Sequence, residues 1–282
     1  MEMAVPRGRH HRRVAHEGMK GKGMTEFINR GGVKLAYEAA GSGDTAIVFV
    51  HGWACDRSFF APQFEHFAVQ HPVVTVDLRG HGDSDKPEPG PGVYDIGQLR
   101  DDVLAVADAV GLERPIVIGH SLGGLVALAC AARPGAVRAA VMVDPAPIVN
   151  ERILEFLREA ADTIESDHDA SWRTGFVNGM FLPSDTARRE EIFSGMTALP
   201  PAIAAALVRA MEQFDGPAAL GAVDVPLLSI GSAAPTNAAA DLVGACPTIT
   251  IGQTVGSGHF NQLEVPDQVN LMIERFLVVN NV

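Results

Sequence analysis

The chain has 282 residues, 47% of them hydrophobic, and a formal net charge of −12 at neutral pH. That length and apolar content suffice for one large core of the size α/β domains commonly reach. The negative charge argues against nucleic acid or an anionic membrane as partner. No apolar run is long enough to span a bilayer.

The three cysteines, Cys55, Cys130 and Cys246, are odd in number and lack metal-ligand spacing, so buried thiols in a reducing cytoplasm are expected, with no metal site. Residues 1–23 carry Arg7, Arg9, Arg12, Arg13, Lys20 and Lys22 against Glu2 and Glu17, a net +4 that leaves −16 for the rest. With no apolar stretch behind it, this basic start does not read as a secretory signal. It reads as a disordered tail, with Met24 as an alternative start.

From there the chain alternates between two patterns. Thr25 to Arg30 and Val33 to Ala39 form a predicted hairpin around Gly31-Gly32. Ala46 to Val50 is a continuous apolar run, as expected of a strand covered on both faces, and it ends in His51-Gly52-Trp53. A helix is predicted over Ser58 to Gln70 and a buried strand over Val73 to Asp77, followed by the turn Asp77-Leu-Arg-Gly-His-Gly-Asp-Ser84, which Asp77 and Arg79 are expected to brace. Leu99, Val103, Val106 and Val110 mark one face of a helix from about Ile96, ended by Gly111.

Pro115 to Ala132 then reads as strand, sharp turn, helix, with Gly119-His-Ser-Leu-Gly123 at the turn. In that context Gly-x-Ser-x-Gly is a nucleophile elbow: the serine sits in a strained backbone conformation and the glycines let strand and helix approach closely. Ser121 is thereby pushed out at the top of a sheet. The Leu122 N–H and the positive end of the helix point to where an oxyanion would form.

Val137 to Val143 is a further strand, leading into Asp144-Pro145. From Ala146 to about Gly221 no strong strand remains. Amphipathic helical stretches cover Glu151 to Glu165, Thr186 to Met196 and Pro201 to Phe214, the first with Ile153, Leu157, Ala160, Ala161 and Ile164 on one face. This segment reads as a helical cap, in which Met180, Phe181 and Phe214 are candidates for lining a pocket. Strands at Val225 to Ile230 and Thr248 to Ile251 and a helix over Glu264 to Leu277 complete the chain.

The fold expected is therefore α/β, a doubly wound, mostly parallel sheet of eight strands with a helical cap inserted after the sixth. Residues 24–145 and 222–282 form the core, 146–221 the cap and 1–23 the tail.

The elbow, His51-Gly52-Trp53 and Gly258-His259-Phe260 together resemble the α/β-hydrolase superfamily, over about residues 25–280. The resemblance implies a triad in the chain order serine, acid, histidine. His259, in a glycine-rich loop between the last strand and the last helix, occupies the place of the family's histidine. The N–H of Trp53 occupies that of the second oxyanion donor beside Leu122, the Trp53 side chain is a candidate pocket wall, and His51 is a structural residue. In most relatives the acid follows the strand after the cap, in a motif resembling Gly-x-x-Asp. Here Ile230-Gly-Ser-Ala-Ala-Pro-Thr-Asn237 offers no carboxylate before Asp241, and Asn237 supplies no charge. A minority place the acid after the strand that follows the elbow helix, where Asp144 stands. Asp144 is thus favoured, with Asp241, Asp224 or no acid as alternatives.

The activity implied is a cofactor-free serine hydrolase of a small molecule, with a carboxylester or lactone bond first and a carbon–carbon bond next to a ketone second. A serine rather than an aspartate nucleophile argues against the haloalkane dehalogenases and epoxide hydrolases of this fold. His-Gly-Trp and an acid after the sixth strand also resemble the cofactor-free dioxygenases of N-heteroaromatic rings, in which a His-Asp pair deprotonates the substrate. A receptor that only binds its ligand is the third class. A homodimer is the candidate assembly.

Overall fold

The computed structural model describes residues 24–167, 170–183 and 189–282; the predicted basic tail lies outside the described residues. β1 (Glu26–Arg30) and β2 (Val33–Ala40) form the expected hairpin, followed by β3 (Ile47–Val50). The helix expected over Ser58 to Gln70 is instead a 3-10 turn, Arg57–Phe60, running into α1 (Ala61–Phe67). Asp56 caps the turn through Ser58 N, and Pro62 sits in the first turn of α1, where its missing N–H costs nothing.

β4 (Val73–Val76), α2 (Ile96–Ala109), β5 (Ile116–His120), α3 (Leu122–Ala131) and β6 (Ala139–Val143) then alternate as the sequence implies. α4 (Glu151–Glu165), α5 (Ser171–Asn178), α6 (Arg189–Thr197), α7 (Pro201–Gln213) and α8 (Gly216–Gly221) form a helical insertion. β7 (Leu227–Gly231), α9 (Ala239–Ala245), β8 (Thr250–Gln253), α10 (Asn261–Glu264) and α11 (Pro266–Asn280) close the chain. The eight strands make one sheet in the order β1-β2-β4-β3-β5-β6-β7-β8, antiparallel at β1/β2 and β2/β4 and parallel elsewhere.

Because side chains alternate along a strand, each buried strand feeds two cores. Val48, Val50, Val117, Ala140 and Met142 pack with α2 and α3, through Leu99, Val103, Leu125 and Leu128. Ile47, Phe49, Ile116, Ile118, Val141 and Val143 point the other way, onto Phe60, Phe67, Ile273 and Phe276. This is why the strands read as unbroken apolar runs. The three cysteines are buried and unpaired, and burial pushes the Cys130 thiol up to about 12.

The turn after β4 is braced as expected, with more partners than the sequence indicates. Asp77 accepts from the amides of Asp83 and Arg57 and pairs with the Arg57 guanidinium. Arg79 forms a two-pronged, buried pair with Asp102 of α2, at 2.5 and 2.8 Å.

The closest packing lies at the elbow. Ser121 alone separates β5 from α3 and holds φ 53°, ψ −116°. A Cβ on Gly123 would meet the carbonyl oxygens of Val50 and His51 at 2.1 and 2.5 Å, and one on Gly119 would meet Gly123 O at 1.8 Å. These are backbone atoms of β3, of the loop after it and of α3, and they cannot be moved aside. Gly123→Ala should therefore destabilise the fold by at least about 1–3 kcal/mol or yield no folded protein. Gly175→Ala, at an exposed helical position with nothing within 4 Å of the added carbon, should be neutral or stabilising by about 0.5–1 kcal/mol. Urea denaturation midpoints of the two variants check this.

Candidate active site

The parallel strands deliver their loops to one edge of the sheet, where ligands bind in open α/β sheets. Ser121, Asp144 and His259 all line one cavity of about 390 Å³ at that edge. Asp144 directly follows β6, with φ 37° and its N–H donating to Ile230 O at 2.7 Å, which extends the pairing of β6 with β7 by one residue. Its carboxylate is buried, and both oxygens are engaged. Oδ1 accepts from Ser232 N at 3.0 Å and Oδ2 from His259 Nδ1 at 2.7 Å. A carboxylate only accepts, so His259 carries its proton on Nδ1 and leaves Nε2 free to take one.

The loop after β7 thus reaches Asp144 with a backbone amide rather than a carboxylate. Asp241 lies in the first turn of α9 and, like Asp224, is exposed, so neither alternative acid is buried as Asp144 is. Asn237 has a different task. Its Oδ1 accepts from Ile148 N at 2.7 Å, and its Nδ2 donates to Pro145 O and Ala146 O, both at 3.0 Å. It clasps the four residues that follow Asp144.

The His259 backbone is held from two sides. Its N–H donates to Met180 O at 3.1 Å, and its carbonyl accepts from His120 Nε2 at 2.8 Å. His120 directly precedes Ser121 in the elbow, so one residue links the turn that carries Ser121 to the backbone of His259. Its ring, 4.7 Å from that of His259, is fully buried, and burial, with the neighbouring His259, drives its pKa well below the usual imidazole range.

The loop after β3 abuts the elbow. A Cβ on Gly52 would lie 3.1 Å from Ser121 Cβ and 2.9 Å from His120 Nδ1, so only glycine brings Trp53 this close. Leu122 N is the first amide of α3, and such amides have no partner within the helix. His51 is structural, as expected: Nδ1 donates to Gly52 O and Nε2 accepts from Leu78 N, at 2.8 and 3.0 Å. His81 was not singled out by the sequence, yet its Nε2 accepts from Ala54 N at 3.1 Å and holds Ala54 at φ 57° just past Trp53. Its ring packs edge-on against that of His51, a contact between residues 30 apart that no local pattern signals.

Of the candidate pocket residues, Met180, Phe181 and the Trp53 side chain line the cavity, whereas Phe214 packs against the core. The Trp53 indole also donates to Ala204 O of α7 at 3.0 Å, tying the insertion to the β3 loop. Phe156, Trp172 and Phe176 add an aromatic wall that the sequence reading did not identify. Among the described residues no group of three or more His, Cys, Asp or Glu side chains stands together in a way that could hold a metal ion. Among them, too, no helix is long and apolar enough to cross a membrane.

Residues 47–270 match the model of the alpha/beta hydrolase family. A curated relative, the 2-(acetamidomethylene)succinate hydrolase of Mesorhizobium japonicum, is 32% identical over 136 residues, 46% of this chain and 48% of that protein. The 2-heptyl-3-hydroxy-4-quinolone dioxygenase of Rhodococcus erythropolis is 28% identical over 168 residues, 57% and 61% of the two chains. The chain thus spans about half the length of the curated relatives it matches. The enol-lactonase of Burkholderia xenovorans superposes with a TM-score of 0.77 at 24% identity, covering 90% of this chain and all of the other, a likeness of fold.

Two outcomes follow from the site's hydrogen bonds. Asn237→Ala leaves buried backbone groups beside Asp144 unpaired and should cost at least about 1–3 kcal/mol in urea unfolding. Burial lowers the pKa of His51, His81 and His120. Their ring proton NMR shifts should therefore stay constant from pH 8 to 6. As pH falls below about 6.5, the unfolded chain takes up protons that these folded imidazoles do not, so they contribute a loss of stability that grows down to their folded pKa values. A downfield titration of all three near pH 6.5 would contradict this.

Proposed function

Since the chain belongs to the alpha/beta hydrolase family, we propose that it is a cofactor-free serine hydrolase that cleaves a carboxylester or lactone bond of a small molecule through an acyl-enzyme. The single observation that carries this reading is the 2.7 Å bond from His259 Nδ1 to the buried carboxylate of Asp144, in the cavity that the strained Ser121 also lines.

In this mechanism Ser121 Oγ attacks the carbonyl carbon as His259 Nε2 takes its proton. The carbonyl oxygen becomes an oxyanion facing the N–H groups of Trp53 and Leu122, each worth roughly 3 kcal/mol in the transition state. Collapse breaks the bond to the leaving oxygen, which receives the proton from His259. Water then attacks the acyl-enzyme with His259 again as base, and Ser121 is restored. Asp144 stays ionised throughout, fixing the histidine tautomer and stabilising the imidazolium. The helical insertion acts as a cap that walls the cavity from above.

A second reading is favoured by one observation: the acid follows β6, and the 28% identical relative named above is a quinolone dioxygenase. There the His259–Asp144 pair would deprotonate a heteroaromatic hydroxyl, and Ser121 would only bind the substrate.

Exposure to a fluorophosphonate, followed by intact mass and peptide mapping, should give a stoichiometric adduct on Ser121 that is absent in His259→Ala. Asp144→Asn should lower ester turnover by about 10⁴-fold with the fold intact, and Asp241→Asn should leave it unchanged. No adduct on folded protein, together with oxygen consumption on hydroxyquinolones that survives Ser121→Ala, would replace the hydrolase by the dioxygenase.

A further inference from the structure

The chemistry of the cavity wall narrows the substrate further, on the premise that Ser121 is the acylated nucleophile. Trp53, Phe156, Trp172 and Phe176 form a continuous aromatic surface: the rings of Phe156 and Trp172 lie 6.0 Å apart, Trp172 and Phe176 stack at 5.1 Å, and Trp53 meets Phe176 edge-on at 5.9 Å. Phe156 is 43% exposed, so this wall runs from the reacting centre to the surface. Aliphatic and thioether side chains such as Leu157, Val208 and Met211 complete it.

The polar groups at the wall are few and uncharged beside Asp144 and His259: Ser232, Thr236 and Ser257 join Ser121 in the lining, and Ser257 Oγ is bonded to Thr254 Oγ1 at 2.6 Å. No lysine or arginine lines the cavity among the described residues. Arg189 approaches Phe181, but its guanidinium lies over the ring face and bonds to Asn178 Oδ1 rather than facing inward. Among the described residues the one carboxyl group lining the cavity is that of Asp144, which is committed to His259.

A carboxylate placed in such a space would lose its hydration without gaining a cation, and would sit near a like charge. An apolar group loses nothing there and leaves water. The 390 Å³ cavity holds roughly a dozen non-hydrogen atoms at the ~30 Å³ that a water occupies in the liquid.

We propose that the substrate of this site carries an uncharged and predominantly apolar acyl group of about eight to twelve non-hydrogen atoms, its scissile carbonyl included, and that the cavity rejects the same group ending in a carboxylate.

The test compares p-nitrophenyl butanoate, p-nitrophenyl octanoate and mono-p-nitrophenyl suberate, the last being the octanoate with its terminal methyl replaced by carboxylate. The kcat/KM should rise by up to about fourfold per methylene from butanoate to octanoate and fall at least 100-fold from octanoate to suberate. Suberate within threefold of octanoate, or octanoate no better than butanoate, overturns the proposal.

Binding to Ser121→Ala, read by calorimetry, separates this proposal from the hydrolase reading. There 2-decanone should bind at least tenfold more tightly than 9-oxodecanoate. If no ester is turned over but the ketone binds with that preference, the hydrolase reading fails and the cavity assignment stands. If esters are turned over but ketone and keto acid bind alike, the cavity assignment fails alone. Binding of neither compound overturns it as well.

Discussion

The approach of α3 to β3 is the constraint on which the rest of the structure depends. With no side chain at Gly123, the first turn of α3 rests on the carbonyls of Val50 and His51, and with none at Gly119 the turn between β5 and α3 shrinks to the single residue Ser121. That residue then has one place to go, a positive φ that costs on the order of 1–3 kcal/mol and persists only because the flanking elements over-determine it. The same closeness lifts the hydroxyl to the edge of the sheet and brings Gly52 against it, so that the β3 loop and the start of α3 share one small space. A glycine pattern that looks like turn chemistry is in effect the specification of a distance between two backbones.

Asp144 shows how two neighbouring strand ends combine to hold one carboxylate. β6 and β7 are neighbours in parallel register, Val143 beside Ile230, so residues just past their ends lie next to each other. Here β6 supplies the carboxylate of Asp144 and β7 supplies Ser232 N to hold its second oxygen. Asn237, further along the loop after β7, secures the chain after Asp144 through its carbonyl oxygen and its NH₂ group. One strand end bears the charge and the other orders it.

Much of this architecture is legible in the sequence because it follows from local patterns. The apolar strands are visible as runs because they are buried on both faces, and the elbow because its glycines obey a steric rule. That Ser121, Asp144 and His259 meet in one cavity follows from the same patterns, since each comes after a recognisable strand. What was not legible depends on partners far along the chain. Asp77 and Arg57, 20 residues apart, and Arg79 and Asp102, 23 apart, are ordinary charged residues until the fold joins them. The aromatic wall escaped for a related reason: Phe156 and Trp172 stand on separate helices whose own periodicity accounts for them as packing residues. The break between the 3-10 turn and α1 was likewise hidden, because Asp56 and Pro62 act as caps within a stretch whose composition remains helical.

The insertion is coupled to the chemistry more closely than a wall would be. Trp53, whose backbone N–H is assigned to the oxyanion, gives its indole N–H to Ala204 of α7, and His259 gives its backbone N–H to Met180 after α5. The β3 loop and His259 are therefore each fastened to the helical insertion that shapes the pocket. On the proposed hydrolase reading, a ligand that pushed α5 away from the sheet would strain the bond that holds His259, and one that displaced α7 would strain the bond that holds the β3 loop. Discrimination in such a site reaches beyond affinity, because a group that fits badly against Phe176 and Trp53 also leaves Ser121, His259 and the two donor amides poorly aligned. Binding energy from the remote apolar group is then realised as alignment at the reacting centre, which raises turnover as well as occupancy.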